Sequence, residues 1–232
     1  GTMSALAACG SDHVAVRAPI DSVATTGQAS DTPTSSSGDP ADDTTTDSVG
    51  DAADGVTGGV SSLNLVKGAV VQIEATGTFV DPEFGAQEGA GRGSGFVIDP
   101  SGIAVTNNHV VTGSGLLQVF VDGEDEPRNA RVLGVSECSD LAVIKIDGPE
   151  LPTLRWATDA DEPGTEVYVA GFPLGDPEYT LTRGVIAKAR ANGDTQWASV
   201  DHTIEHDAAA QPGNSGGPLV TVDGRVAGIH YA

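Results

Sequence analysis

The sequence predicts an all-β fold, a barrel or a sandwich, for residues 63–232. Short runs rich in Val and Ile recur through this part of the chain. Turn signals built from Gly, Pro, Asp and Asn separate these runs about every 8–14 residues, a spacing typical of sandwiches and barrels. No stretch shows the apolar periodicity of a long amphipathic helix. The pattern therefore favours a fold of strands and turns.

The strand signals follow one another along the chain, and β-branched residues are enriched in them. The early strands are predicted over residues 69–74, 95–99, 103–106, 117–121 and 141–146. The later strands are predicted over residues 166–170, 179–182, 218–222 and 225–229. Residues 63–232 are numerous enough to close a substantial hydrophobic core.

Residues 1–62 have a different composition. They contain no aromatic residue, carry nine acidic and one basic side chain, and consist mainly of Ser, Thr, Asp, Gly and Ala from residue 21 onwards. Such a segment cannot bury enough apolar surface to offset its ordering entropy, so we expect a disordered acidic linker. Near its start, the residues 6–9 (Leu-Ala-Ala-Cys) are similar to a bacterial lipobox, which predicts lipidation of Cys9 after a signal peptide. Cys138 is expected to be a free thiol.

Charge and hydropathy exclude several classes of function. The net charge of −22 argues against nucleic-acid binding, which depends on neutralising phosphates with Lys and Arg. It also argues against attachment to an anionic membrane through basic residues. No apolar run is long enough to span a bilayer. Membrane attachment is therefore expected only through a lipid on Cys9, and no cofactor or metal is predicted.

The strongest local signal is the turn Gly213-Asn-Ser215-Gly-Gly-Pro-Leu-Val. A serine between glycines has an exposed hydroxyl beside approachable backbone N–H groups, as a nucleophile with an oxyanion hole requires. The same residues fit G-x-S-x-G, the nucleophile elbow of α/β-hydrolases. That elbow requires a following helix, whereas Pro218 and the apolar pair after it indicate a strand. The sequence therefore disfavours the α/β-hydrolase alternative.

Two further motifs precede this turn: Thr-Asn-Asn-His-Val-Val ending at Val111, and Ser-Asp-Leu-Ala-Val-Ile beginning at Ser139. With the serine turn, and in this order, they resemble the motifs of trypsin-fold serine proteases, most closely the HtrA/DegP-type branch. The resemblance implies that His109 is the general base, Asp140 its orienting acid and Ser215 the nucleophile. It also implies that the N–H groups of Gly213 and Ser215 form the oxyanion hole. Asp147 is the alternative candidate for the acid that orients His109, although it has the features of a turn residue at the end of a strand.

The resemblance further implies two antiparallel six-stranded Greek-key barrels, over about 63–152 and 153–232, with the active site between them. In the family, the strand at residues 228–232 pairs with the substrate backbone, and about one more strand completes the second barrel. We therefore expect a piece of a longer protein with an incompletely closed second barrel. The oligomeric state is left open, because residues 1–78 lack the aromatic residues that some relatives use in trimer contacts.

The implied function is a serine endopeptidase that cleaves unfolded or extended polypeptides outside the cytoplasm, as a lipoprotein or in secreted form. In trypsin-like folds the base of the specificity pocket lies about six residues before the nucleophile, which here corresponds to Ala208, Ala209 and Ala210. Without a carboxylate at that base, burying an unpaired Arg or Lys is costly. An apolar preference at P1, the residue on the acyl side of the cleaved bond, is therefore expected.

Two alternatives remain. A non-catalytic peptide-binding module with a protease fold would retain the architecture without the chemistry. A zinc peptidase is suggested by His202-Thr-Ile-Glu-His206, which fits H-x-x-E-H. That chemistry needs a helix to place both imidazoles on one face with the glutamate nearby. The surrounding residues are β-branched and predict a strand, which disfavours zinc.

Overall fold

The structure is a computed structural model that describes residues 62–81, 85–158, 160, 162–194 and 199–231. The predicted linker and Cys9 lie outside these residues. The described part consists of two antiparallel β-sheets with very short helices, which confirms the predicted all-β fold class. Its helices are about one turn long, too short to cross a membrane.

Six strands close the first barrel. They are β1 (Val70–Asp81), β2 (Gly85–Asp99), β3 (Ile103–Asn107), β4 (Ser114–Phe120), β5 (Arg128–Ser136) and β6 (Leu141–Ile146). The spatial order is β1-β2-β3-β6-β5-β4, so that β3 pairs with β6 and the last four strands form a Greek key. Alternation places one face of each strand inside: Ala142, Ile144 and Ile146 of β6 are buried, and the residues between them are only partly buried.

The second sheet is open and has five strands in the described residues. They are β7 (Glu166–Gly171), β8 (Thr180–Asp194), β9 (Ser199–His206), β10 (Pro218–Thr221) and β11 (Val226–Ile229), in the order β11-β10-β7-β8-β9. A closed six-stranded barrel followed by an open half-barrel agrees with the double barrel that the resemblance implies, including its incompletely closed second barrel. The short helices are α1 (Leu63–Val66), α2 (Asn108–Val111) and two 3-10 turns, Lys67–Ala69 and Pro173–Gly175.

A hydrophobic cluster joins the two sheets. Phe96 and Val105 of the first barrel pack with Ala170, Val220 and Val226 of the second. The connection after β6 contributes as well, because the Leu154 N–H donates to the Val97 carbonyl and the Ala157 N–H to the Val226 carbonyl. This shared core fixes how the loops at the sheet ends face one another.

One expectation about the cysteines is wrong. Cys138 is disulfide-bonded rather than a free thiol, and its partner lies outside the described residues. The entropic cost of closing a loop grows only slowly with its length, so the long separation in sequence between Cys9 and Cys138 does not exclude a disulfide between them.

Candidate active site

His109 and Asp140 are joined by two hydrogen bonds near the junction of the sheets. β3 ends at Asn107, and the single turn α2 that follows carries His109. The His109 Nδ1 atom lies 2.6 Å from Asp140 Oδ2, and the His109 backbone N–H donates to Asp140 Oδ1 at 2.9 Å. Both side chains are largely buried. Both carboxylate oxygens therefore hold one histidine in a fixed orientation.

The backbone of Asp140 is held equally firmly. Its carbonyl accepts hydrogen bonds from the Asn108 N–H at 3.0 Å and from the Asn107 side-chain amide at 2.8 Å. Asp140 itself has φ +49°, a left-handed conformation that is uncommon for a residue other than glycine. Backbone strain of this kind persists where the surroundings over-determine the conformation. Here the strained turn is the one that aims the carboxylate at His109.

Ser215 lies in a compact turn stabilised by its own backbone. The Asn214 N–H donates to the Gln211 carbonyl and the Gly217 N–H to the Asn214 carbonyl. Gly213 and Gly216 have φ of +102° and +84°, which favour glycine. A Cβ on Gly216 would also lie 2.2 Å from Thr106 Oγ1 and 2.9 Å from the backbone nitrogen of Asn107. The serine turn thus packs directly against the end of β3, two residues before His109.

The predicted oxyanion-hole donors lie in this same turn. In the backbone hydrogen bonds that hold the turn among the described residues, the N–H groups of Gly213 and Ser215 are not used as donors. The carbonyls of these two residues are both engaged instead, by Ser94 of β2. The two N–H groups are therefore available to a ligand.

Ser94 was not singled out from the sequence, and it links the two barrels at the site. Its backbone N–H donates to the Ser215 carbonyl at 2.8 Å, and its hydroxyl donates to the Gly213 carbonyl at 2.7 Å. The hydroxyl also accepts the Phe172 N–H at 2.9 Å, while the Ser94 carbonyl accepts from Thr106 Oγ1 at 2.7 Å. Ser94 is completely buried. The one available signal was its position between Gly93 and Gly95, which indicates close approach of another backbone.

We expect Ser94→Ala to reduce both stability and turnover. The substitution leaves the partly buried Gly213 carbonyl and the buried Phe172 N–H without their partner, at a cost of about 1–3 kcal/mol. Urea unfolding measures this loss, and the kcat should fall because the Gly213 peptide loses its anchor. Ser136→Ala is the matched control, because Ser136 lies on an exposed part of β5 and should change stability by less than about 0.5 kcal/mol. Equal unfolding midpoints for the two variants would contradict the role of Ser94.

The structure separates the three predicted pocket alanines. Ala208 is buried, and Ala210 packs against the same apolar cluster, which also contains Val169 and Leu219. Ala209 is exposed, and its carbonyl accepts a hydrogen bond from Thr182 Oγ1 at 2.6 Å. Two of the three alanines thus belong to an apolar cluster, and the third is exposed.

Neither the rival acid nor the zinc motif has the geometry for its alternative role. Asp147 is exposed and pairs with Arg131 at 3.2 Å. His206 lies on strand β9 rather than on a helix, and the neighbouring Glu205 pairs with Lys188 at 2.7 Å. The His202 side chain lies outside the described residues. Within the described ranges, no cluster of three or more His, Cys, Asp or Glu residues could hold a metal ion.

Comparisons with known proteins agree on one family. A family model described as a trypsin-like peptidase domain matches residues 93–229. A DegP-like periplasmic serine endoprotease of Chlamydia pneumoniae is 42% identical over 143 residues, covering 61% of this chain and 28% of that protein. Its counterpart in Hahella chejuensis is 39% identical over 149 residues, covering 63% of this chain and 30% of that protein. The chain therefore spans less than a third of the length of these curated relatives.

Solved structures lead to the same fold. The HtrA-type protease AlgW with a decapeptide superposes with a TM-score of 0.59 at 30% identity, covering 72% of this chain and 56% of that one. The active form of the Rv3671c protease from M. tuberculosis gives a TM-score of 0.59 at 27% identity, covering 77% of this chain and 80% of that one.

Proposed function

The chain belongs to the trypsin-like peptidase family, and on that premise we propose that it is a serine endopeptidase that cleaves unfolded or extended polypeptides. The observation that carries the proposal is the pair formed by His109 and Asp140, at 2.6 Å between Nδ1 and Oδ2. When Nδ1–H donates to the carboxylate, Nε2 keeps its lone pair for a proton from a nucleophile. Ser215, in the turn packed against the end of β3, is the nucleophile in this proposal.

The chemistry follows from these positions. His109 Nε2 accepts the Ser215 hydroxyl proton as Oγ attacks the substrate carbonyl, and the same nitrogen later protonates the leaving amine. Asp140 holds the imidazole in the required tautomer and stabilises the imidazolium. The N–H groups of Gly213 and Ser215 donate to the oxyanion of the tetrahedral intermediate. Ser94 fixes the turn that carries both donors.

The test compares serine and metal chemistry on one substrate. The purified chain is incubated with unfolded casein and with a folded globular protein, with and without a fluorophosphonate or EDTA. We expect cleavage of casein, slow cleavage of the folded protein, loss of activity with the fluorophosphonate and no effect of EDTA. Inhibition by EDTA alone would support the zinc alternative, and peptide binding without cleavage would support a non-catalytic module.

We further propose that the protein acts outside the cytoplasm, tethered by residues 1–62 through a lipid on Cys9. The support is the lipobox-like sequence before Cys9, the acidic composition that follows it, and relatives named as periplasmic endoproteases. Residues 63–232 form the protease domain in this proposal, and polypeptides are its substrates. The relatives with bound peptides support the choice of substrate class.

Cys9→Ser should release the protein from the membrane fraction when the chain is expressed behind a lipoprotein signal peptide. The chain has two cysteines, and the structure has Cys138 in a disulfide, so the proposed lipid thioether on Cys9 requires that this disulfide be absent from the lipidated protein. Mass spectrometry of the N-terminal peptide without reductant distinguishes the two modifications. We expect a diacylglyceryl-modified peptide, and Cys138→Ser should stay membrane-bound. A Cys9–Cys138 disulfide-linked peptide in place of the lipid would contradict the proposal.

A further inference from the structure

Two histidines outside the proposed triad lie beside the serine turn. The His230 N–H donates to the Gly217 carbonyl, and the His230 carbonyl accepts from the Gly216 N–H, both at 2.8 Å. These glycines directly follow Ser215. His206 ends β9, and its ring centroid lies 5.6 Å from that of His230, with 52° between the ring planes. The His230 backbone is therefore anchored within two residues of the proposed nucleophile, and its ring contacts that of His206.

The pair also borders the segment assigned to the specificity pocket. His206 and Ile204 share one face of β9, because alternate residues of a strand point the same way. Ile204 packs into the apolar cluster that contains Ala208 and Ala210. His230 immediately follows β11, and the resemblance places this strand against the substrate backbone. One wall of the P1 site in this proposal is thus apolar, the Thr182 hydroxyl beside it is bonded to the Ala209 carbonyl, and the two imidazoles lie at its border.

Both imidazoles have an unsatisfied ring nitrogen. His206 Nδ1 and His230 Nε2 are buried, with no hydrogen-bond partner among the described residues. Buried polar atoms normally have a partner, and leaving one unpaired costs free energy. Burial also lowers the pKa of both groups, that of His230 to about 4, so that both are neutral near pH 7. The pair has unused hydrogen-bonding capacity that an apolar side chain would not satisfy.

We propose that His230 and His206 bind the carboxylate of an acidic P1 side chain, Glu or Asp. An imidazole N–H donates to a carboxylate oxygen, and the negative charge also stabilises the imidazolium. A Lys or Arg side chain would meet no carboxylate in the segment of three alanines. This assignment rests on the proposed endopeptidase function and replaces the apolar P1 preference expected from the alanines alone.

The neighbouring acidic groups are engaged elsewhere. Asp207 Oδ1 accepts the Val185 N–H at 2.7 Å on β8, which ties this carboxylate to the backbone, although its charge still raises the pKa of His206. Glu205 points to the opposite face of β9 and pairs with Lys188. In the described part of the chain neither carboxylate is bonded to the imidazole pair, so neither competes with the carboxylate of a ligand for it.

The test uses matched fluorogenic peptides that differ only at P1, with Glu, Gln, Leu, Val or Lys, in buffer containing EDTA. We expect kcat/KM for Glu to exceed that for the isosteric Gln by about tenfold or more, which corresponds to about 1.4 kcal/mol or more. His230→Gln and His206→Gln should each bring the Glu/Gln ratio towards one. His13→Gln is the matched control and should leave the ratio unchanged. A wild-type preference for Leu or Val over Glu would overturn the proposal.

A binding measurement separates this proposal from the failure of catalysis. Product-like peptides ending in Glu or Gln are titrated calorimetrically into the Ser215→Ala protein, which requires no turnover. We expect tighter binding of the Glu peptide, together with a raised pKa of His230 by NMR. Equal affinities for the two peptides would overturn the carboxylate subsite even if the enzyme is active. Selective binding without any turnover would instead retain the subsite and reject the endopeptidase.

Discussion

Ser215→Ala should reduce kcat/KM for an unfolded polypeptide by about 10⁴–10⁶-fold. The loss corresponds to about 5–8 kcal/mol of transition-state stabilisation. It is large because no other hydroxyl is presented by the turn between Gly213 and Gly217. Stability should hardly change, because the Ser94 N–H bond to the Ser215 carbonyl and the hydrogen bonds within the turn belong to the backbone, which alanine retains.

The measurement combines steady-state kinetics with labelling by a fluorophosphonate probe. Wild-type protein should be labelled at one site, and Ser215→Ala should not be labelled. Ser136→Ala, an exposed serine on β5, is the control and should keep both labelling and turnover. Retention of more than about one per cent of activity by a folded Ser215→Ala protein would exclude Ser215 as the nucleophile.

The sequence was sufficient for the parts of the fold in which local pattern and tertiary environment agree. β6 alternates buried and partly buried residues, and its bounds were predicted correctly at 141–146. β5 was missed because nearly all of its side chains from Arg131 to Ser136 are exposed, which removes the alternation that marks a half-buried strand. β2 was predicted only from residue 95, since its first half is rich in glycine. In this glycine-rich half, the strand is formed by pairing with β1 and not by the strand propensity of its residues.

The residues of the site that could be predicted are those whose side-chain type and surrounding motif point to a catalytic role. His109 and Asp140, singled out by their motifs, lie in contact in the structure. Ser94 and His230 were not predicted, because their importance comes from contacts distant in the chain. The Ser94 hydroxyl reaches Gly213 across 119 positions, and His230 meets His206 across the second sheet. A single serine in a strand, or a single histidine just after one, carries no local signal for such partners.

Asp140→Asn should reduce kcat by about 10⁴-fold while the protein stays folded. In the wild type, Oδ2 faces His109 Nδ1 at 2.6 Å, and Oδ1 accepts the His109 backbone N–H at 2.9 Å. Asparagine can keep one oxygen on the backbone N–H, which places its amide nitrogen against Nδ1. That nitrogen is a donor, so Nδ1 must become the acceptor, and the proton moves to Nε2. The imidazole then has no lone pair directed at Ser215.

The matched control is Asp147→Asn, the same substitution at the other aspartate close to β6. Asp147 is exposed and its pair with Arg131 is screened by solvent, so we expect turnover within about twofold of wild type. Steady-state kinetics, with circular dichroism as a check on folding, measure both variants. KM should change little for Asp140→Asn, because the carboxylate acts through His109 and does not contact the substrate. If Asp147→Asn lost activity and Asp140→Asn did not, the orienting acid would be Asp147, and the strained turn at Asp140 would serve only to position α2.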